Sequence, residues 1–379
     1  MHTGQSHSPI LITQQSALRQ LSDRLIGEPL LAVDTESNSL YAYQEQVCLV
    51  QFSSPQEDFL VDPLALDDLS PLEPLFADPK IEKIFHAAEY DLITMKRDFG
   101  FSFANLFDTM LAARILGWDQ VGLGSILKAE FEVQLDKRYQ RANWGRRPLP
   151  ADMLAYARQD THYLIPLRYR LKSELKAKGR WQLAEEDFNR LRFVNGRDPD
   201  DQPDSCWRVK GAYDLSPTQA AILQSLCGYR EQVARSNDLP VFKVLSDQSL
   251  MAVAVAAPQD LEGLQRSANL NYKQFQRHGE GMLSAVQRGL KSEPLRPPRQ
   301  PRPDEAYLVR LEALREWRKR KGQQLGVNSD VVLPRDLLYA LAALNQPTQA
   351  DLSAILSQTP YRLEHFGDQI LEVLENNQP

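Results

Sequence analysis

The sequence lacks the features that would place it in several protein classes. Cysteine is scarce, with three in 379 residues. Cys48, Cys206 and Cys227 lie far apart, form no C-x-x-C pair and have no His/Cys zinc spacing. This argues against a disulfide framework or a structural zinc, and a reducing cytoplasm fits. Long apolar runs are also missing. The longest, "SLMAVAVAAP" around Met251, falls far short of the roughly 20 residues a membrane span needs. The opening "MHTGQSHSPI" has no charged-then-apolar pattern of a secretory signal. No G-x-x-x-x-G-K-[ST] phosphate loop occurs, which excludes a nucleotide triphosphatase or helicase of that type. A soluble cytoplasmic protein is expected, with neither membrane nor nucleotide triphosphate among its partners. The formal net charge of -6 does not exclude nucleic acid, because local patches matter more than the sum.

The length calls for two or three domains, and the character of the chain changes midway. In the first half, strand patterns at 10–13, 30–36, 47–54, 58–64 and 80–87 alternate with helical patterns at 14–25, from about 69, and at 89. This order predicts an α/β sheet flanked by helices. Leu30 to Val33 shows no polar alternation, which marks a central strand covered on both faces. From about Leu215 helical periodicity dominates. A Pro- and Arg-rich stretch, "SEPLRPPRQPRP" at 292–303, reads as a linker. The helical pieces on either side repeat. "VLSDQSLMAVA" from Val244 matches "VLPRDLLYALA" from Val332 at an offset of 88, and the same offset sets Tyr229-Arg230 on Trp317-Arg318.

Three acidic signals stand out. Asp34 and Glu36, two apart at the end of the apolar strand, project from one face. Asp91 in "KIFHAAEYDLITM" lies near the start of a helix, where an acid also suits the helix dipole. In "MLAYARQDTHYLIPL", Tyr156 and Asp160 are i and i+4 on one helix face. Each is weak alone. Clustered acids repel, by roughly 4 kcal/mol per pair at about 4 Å and an effective dielectric near 20. A group of them makes better sense as a cage for hard cations.

In this chain order, D-x-E, a single Asp and Y-x-x-x-D resemble the three motifs of the DEDD exonuclease superfamily, in its Tyr branch. "FDTMLAARIL" after Leu106 and "LDKRYQRANWGRRPL" from Leu135 resemble the ribonuclease D family within it. "REQVARSNDLPVFKVLSDQSLMAVA" resembles an HRDC domain, and the segment from Asp304 resembles a divergent second copy. The resemblance implies a ribonuclease H-like exonuclease domain, a mixed sheet flanked by helices, followed by two all-α HRDC-type domains. The expected boundaries are 1–205 for the exonuclease, 206–291 and 304–379 for the helical domains, and 292–303 for the linker.

The resemblance also implies the activity: a metal-dependent 3′–5′ exoribonuclease that releases nucleoside 5′-monophosphates and trims tRNA precursors and other structured small RNAs. The alternatives are a 3′–5′ DNA exonuclease and a non-catalytic nucleic-acid scaffold. Two divalent ions, Mg²⁺ or Mn²⁺, would be held by Asp34, Glu36, Asp91 and Asp160. Asp34 would bridge both ions, Glu36 and Asp160 would hold the one carrying the attacking water, and Asp91 would position the other. Tyr156 would orient the water. The expected partner is RNA with a single-stranded 3′ end, taken by a monomer. Cations interleaved with aromatics make Arg138, Arg141, Trp144, Arg146 and Arg147 candidate RNA contacts. The basic run Arg315, Arg318, Lys319, Arg320 and Lys321 is a second candidate, joined by Arg296, Arg299 and Arg302 of the linker.

Overall fold

The computed structural model describes residues 8–195, 205–298 and 304–377. Arg299 and Arg302 lie outside them. The chain divides into two units. The first takes residues to Ser37, from Val47 to Gly196 and from Arg302 onward; the second takes Asn38–Gln46 and Arg197–Pro301.

The first unit starts with β1 (Ile10–Ile12), α1 (Gln15–Leu25), β2 (Leu30–Ser37), β3 (Val47–Ser53) and β4 (Asp58–Val61). It continues through α2 (Glu73–Ala77), β5 (Glu82–Phe85), α3 (Glu89–Phe99), β6 (Leu106–Asp108), α4 (Thr109–Leu116) and α5 (Leu123–Phe131). Then come α6 (Ala151–His162), α7 (Leu164–Ala177) and α8 (Trp181–Leu191). The six strands form one mixed sheet in the order β1-β4-β3-β2-β5-β6. β3 runs antiparallel to both its neighbours, and the remaining pairs are parallel.

β2 is central, as its unbroken apolar start predicts. Alternate residues serve opposite faces. Leu31 and Val33 join the core that includes α1 and α3, and Leu30 and Ala32 join the core that includes α4, α7 and α8. The helix expected from about Leu69 is only a 3₁₀ turn followed by the five-residue α2, because Pro71 and Pro74 interrupt it. β6 was not anticipated, since three residues carry no readable periodicity.

The second unit holds α9 (Pro217–Ser236), α10 (Val241–Val244), α11 (Asp247–Ala256), α12 (Leu261–Ser267) and α13 (Tyr272–Lys291). They close on a core of Leu226, Leu250, Val253, Met282 and Val286, with Tyr43 packed against it. A Cβ at Gly289 would stand 2.5 Å from the Ile222 Cα, so only glycine lets α13 approach α9 this closely. Cys206 and Cys227 form a disulfide here. This corrects the reading of the cysteines as unpaired by any framework. A short turn at Ser205–Arg208 folds back against α9 and brings together two residues whose 21-residue separation carries no motif.

The chain then returns to the first unit with α14 (Glu305–Leu325), α15 (Ser329–Val332), α16 (Arg335–Ala342), α17 (Gln349–Ile355) and α18 (Pro360–Glu375). The sequence repeat is structural. Helix starts pair as 217 and 305, 241 and 329, 247 and 335, 261 and 349, 272 and 360, each 88 apart. α15 and α18 pack on the exonuclease helices. Val331 joins the core of α4, α7 and α8, and the fully buried Arg362 pairs with Glu186 and Asp187 of α8. No helix among the described residues is long and apolar enough to cross a membrane.

Candidate active site

Asp34 and Glu36 continue the face of β2 begun by Leu30 and Ala32, beyond the end of the apolar core. The register shifts between Glu36 and Ser37, an irregularity of the kind that re-aims side chains beside active sites. Across the sheet Asp34 faces Gln51 of β3, whose Nε2 stands 3.4 Å from Asp34 Oδ2. α6 lies over this part of the sheet. Its Tyr156 and Asp160 are both buried on the side of β2 that carries the two acids. Asp34, Glu36 and Asp160 offer carboxylate oxygens that all lie within 4.8 Å of one another.

Asp91 is placed differently. It sits buried in the first turn of α3 and accepts the Thr35 hydroxyl at 2.5 Å. Thr35 belongs to the opposite face of β2, so Asp91 reaches the strand end from the other side. It is outside the group of three, yet its charge bears on Asp34, Glu36 and Asp160. The turn before α3 is tightly held. Ala87 adopts a left-handed φ of 65°, and the Ala87 and Ala88 amides donate to Asp108 at 3.2 and 2.8 Å. Asp108 also caps α4 through the Met110 and Leu111 amides. His86 packs its Nδ1 2.9 Å from the Thr109 hydroxyl. A cleft of about 1020 Å³ opens beside Tyr156, Asp160 and His86, with Ser125, Lys128 and Lys137 on its other walls.

The carboxyls are electrostatically strained. Burial, then Asp91, Asp160 and Glu36, push Asp34 well above the carboxylate range, and burial with Asp160 and Asp91 does the same to Glu36. Burial pushes Asp91 up to about 7, and burial with the Asp91 charge raises Asp160 to about 7. Burial and the acids around it also raise the Tyr156 phenol, so this hydroxyl is neutral at pH 7 and bonds to Asp160. Among the described residues the acids receive hydrogen bonds from Thr35, Gln51 and Tyr156, and no Lys or Arg forms an ion pair with them. Gln51 Oε1, buried beside Asp34, has no hydrogen-bond partner among the described residues. Converging hard oxygen donors that repel one another fit divalent cations.

Sequence reasoning missed Thr35, Gln51 and Asp108. Gln51 left a signal: it is the one long polar side chain in the buried run "VCLVQF" of β3. Thr35 sat unnoticed between the two acids.

The predicted RNA contacts separate. Trp144 is 1% exposed and packs on Tyr156, at 6.1 Å between ring centres, so it cannot stack a base. This corrects its assignment: the ring completes the small core under α6 with Cys48, Leu49 and Leu60. Arg147 is corrected too. Its guanidinium is engaged by both Asp62 oxygens at 2.6 Å and by the carbonyls of Trp144 and Cys48. Arg138, Arg141 and Arg146 are exposed, with Arg138 paired to Asp136. In α14, Arg315, Lys319 and Arg320 are exposed, and Lys321 lies over the Phe366 ring. Arg318 is a packing residue. Its Nη1 donates to Leu333 O at 3.0 Å, as Arg230 donates to Leu245 O at 3.3 Å in the first repeat, both pairs 88 apart.

The fold and site define a 3′–5′ exonuclease of the DEDD class. The model of the 3′–5′ exonuclease domain matches residues 9–176, and that of the HRDC domain matches 219–286 and 308–374. The chain is 30% identical to ribonuclease D of Nitrobacter hamburgensis across 95% of its own length and 94% of that protein. The solved structure of Escherichia coli RNase D, an exoribonuclease involved in structured RNA processing, is similar at 26% identity with a TM-score of 0.71. That match covers 98% of this chain and all of the other. Protein RRP6-like 3 of Arabidopsis thaliana is 33% identical over 68% of the chain, which spans only 32% of that longer relative. The chain belongs to the ribonuclease D family and is a 3′–5′ exoribonuclease, a hydrolase of a divalent-metal-dependent class.

Proposed function

We propose that the chain trims the 3′ extensions of tRNA precursors and other structured small RNAs, acting as a cytoplasmic monomer. Asp34, Glu36, Asp91 and Asp160 would hold two divalent ions, Mg²⁺ or Mn²⁺. The observation that carries this reading is the convergence of Asp34, Glu36 and Asp160 within 4.8 Å beside the neutral Tyr156 hydroxyl. When bound, such cations lower the pKa of water and neutralise charge on the phosphate. The chain's own residues supply the frame. Asp34 and Glu36 sit rigidly on a central strand. Asp91 is steadied by Thr35. Tyr156, held on α6 and bonded to Asp160, would orient the attacking water by its hydroxyl.

The exposed Arg138, Arg141 and Arg146, with Arg315, Lys319 and Arg320 on α14, would grip the RNA backbone. The domains would be an exonuclease at 1–205 and helical modules at 206–291 and 304–379, with a linker at 292–303. The test is digestion of a 3′-extended tRNA and a matched 3′-labelled DNA with Mg²⁺, Mn²⁺ or EDTA, beside Asp34→Asn. Release of 5′-mononucleotides from the RNA, abolished by EDTA and by the substitution, is expected. Full activity of Asp34→Asn would overturn the site, and preference for DNA would overturn the substrate.

A further inference from the structure

Away from the acids, α6 is fastened to the sheet by a second polar cluster centred on Asp58. This residue opens β4 and is 9% exposed. Its carboxylate gathers three donors: Ser53 Oγ at 2.6 Å, Arg158 Nε at 2.5 Å and His162 Nδ1 at 2.9 Å. Ser53 pairs with Asp58 across the β3/β4 ladder, and its hydroxyl also lies 2.7 Å from the Thr161 hydroxyl. With Nδ1 donating to Asp58, the other ring nitrogen, Nε2, faces Arg158 Nη2 at 3.4 Å. Burial pushes the Asp58 carboxyl up, but the bonds from His162, Ser53 and Arg158 outweigh it and hold Asp58 below its ordinary range. The cluster is therefore an ionised acid with its donors in place.

The sequence positions matter. Arg158, Thr161 and His162 bracket Asp160 on the same helix. At 3.6 residues per turn they occupy one flank of α6, while Tyr156 and Asp160 share another. Fixing the first flank fixes the angle at which the second meets Asp34 and Glu36. A carboxylate about 6 Å from the helix axis moves about 1 Å for a roll of roughly 10°, and a displacement near 1 Å costs about 100-fold in a positioned reaction.

We propose that Asp58 is a positioning residue for the exonuclease reaction. It acts through Arg158, His162 and the Ser53–Thr161 contact to set the rotation of α6, and so the aim of Asp160 and Tyr156. The inference rests on the reading of Asp160 as a cation ligand.

The test uses the full-length protein with Asp58→Asn, which keeps the shape and removes the charge that Arg158 and His162 face. His162→Gln, which leaves Ser53 and Arg158 on Asp58, is the milder variant should Asp58→Asn fail to fold. Mn²⁺ binding to metal-free protein is measured by electron paramagnetic resonance. kcat and KM are measured on 3′-labelled RNA, beside thermal unfolding. In folded Asp58→Asn, Mn²⁺ affinity and kcat are each expected to fall by about 10–100-fold, the range for partners that orient a ligand, with KM changed by less than about threefold. His162→Gln is expected to lower kcat severalfold at near-wild-type melting temperature. Wild-type Mn²⁺ affinity and kcat in the folded variants, or a change confined to KM, overturns the proposal. Asp160→Asn separates the two readings. If it binds Mn²⁺ like wild type, the ligand assignment fails and the inference falls with it; if it loses Mn²⁺ while folded Asp58→Asn keeps wild-type affinity and kcat, only the role of Asp58 fails.

Discussion

Arg362 lies wholly inside the protein and donates its Nη1 to Glu186 Oε2 at 2.9 Å. Its Nη2 reaches Asp187 at 3.0 Å and the Val331 carbonyl at 2.8 Å, and its Nε reaches the Val332 carbonyl at 3.1 Å. Glu186 also accepts the Tyr361 amide. Four of the five N–H donors of this buried charge are thus answered, two from α8 of the exonuclease region and two from the second helical repeat. Arg362→Ala would leave the buried Glu186 without its counter-charge, and Asp187 with only the more distant Arg190 at 3.9 Å. Breaking a buried pair from one side costs about 3–5 kcal/mol. Urea unfolding is expected to show a loss of that size, and a loss below about 1 kcal/mol, the scale of an exposed pair, would contradict the arrangement.

Trp144 makes a second case. Buried against Tyr156 and the β3/β4 face, it supports α6 from below. Trp144→Ala is expected to destabilise the fold by about 3–5 kcal/mol, as large-to-small core changes do. Trp144→Phe is expected to keep the RNA affinity of the wild type. Fluorescence-anisotropy titration with a single-stranded RNA checks this. A severalfold affinity loss in a stable Trp144→Phe protein would return the residue to the RNA surface.

These two residues mark where the sequence was and was not legible. Leu30 to Val33 announced a central strand because both of its faces are buried, and apolar continuity records that directly. The acid spacings also read true, because strand and helix periods are fixed: Asp34 and Glu36 share a face, and Tyr156 and Asp160 share another. The 88-residue repeat was visible because two helical modules keep one register throughout. Direction within irregular segments was not legible. Trp144 among cations could stack a base or fill a core, and its neighbours in sequence do not decide. Arg318 was read with its charged neighbours although the repeat already aligned it with Arg230. The shared contact to a backbone carbonyl appears only in three dimensions. The Cys206–Cys227 bond depends on a fold-back that no local pattern encodes, and β6 is too short to show a period.

Lys83 of β5 is completely buried, and its Nζ donates to the Asp78 carbonyl at 2.7 Å. Burial pushes its ammonium down to about 8, against an ordinary value of 10.5. Below pH 8 the group is charged in both folded and unfolded chains, and the folded state bears the full desolvation. Between about pH 8 and 10.5 it is neutral only in the folded chain and the penalty shrinks; above 10.5 it is neutral in both, and the penalty vanishes. Lys83→Met should therefore raise the melting temperature at pH 7, with the gain shrinking toward pH 10. Asp78 O keeps the Ile81 amide as a donor at 3.3 Å. A melting temperature unchanged or lower at pH 7 would show that the lysine's hydrogen bond outweighs its burial.

The acid cluster gives the prediction with the clearest sign. In metal-free protein burial holds Asp91 near 7, and burial with the Asp91 charge holds Asp160 near 7, both against an ordinary value of 3.8. A raised carboxyl pKa means that the folded state binds protons the unfolded state has released. The cluster's cost is absent below about pH 4, where both states are protonated. It grows as the pH rises and is complete above about pH 7, where both are ionised. EDTA-treated protein should accordingly melt at a lower temperature at pH 8 than near pH 5.5. Mn²⁺ should raise the melting temperature at pH 8 far more than at pH 5.5, because protons compete with the cation for the same oxygens. Asp160→Asn should flatten both dependences by removing one of the interacting charges. Melting curves at the two pH values, with and without Mn²⁺, decide the matter. Equal Mn²⁺ stabilisation at both would mean that the cation does not bind at these carboxylates.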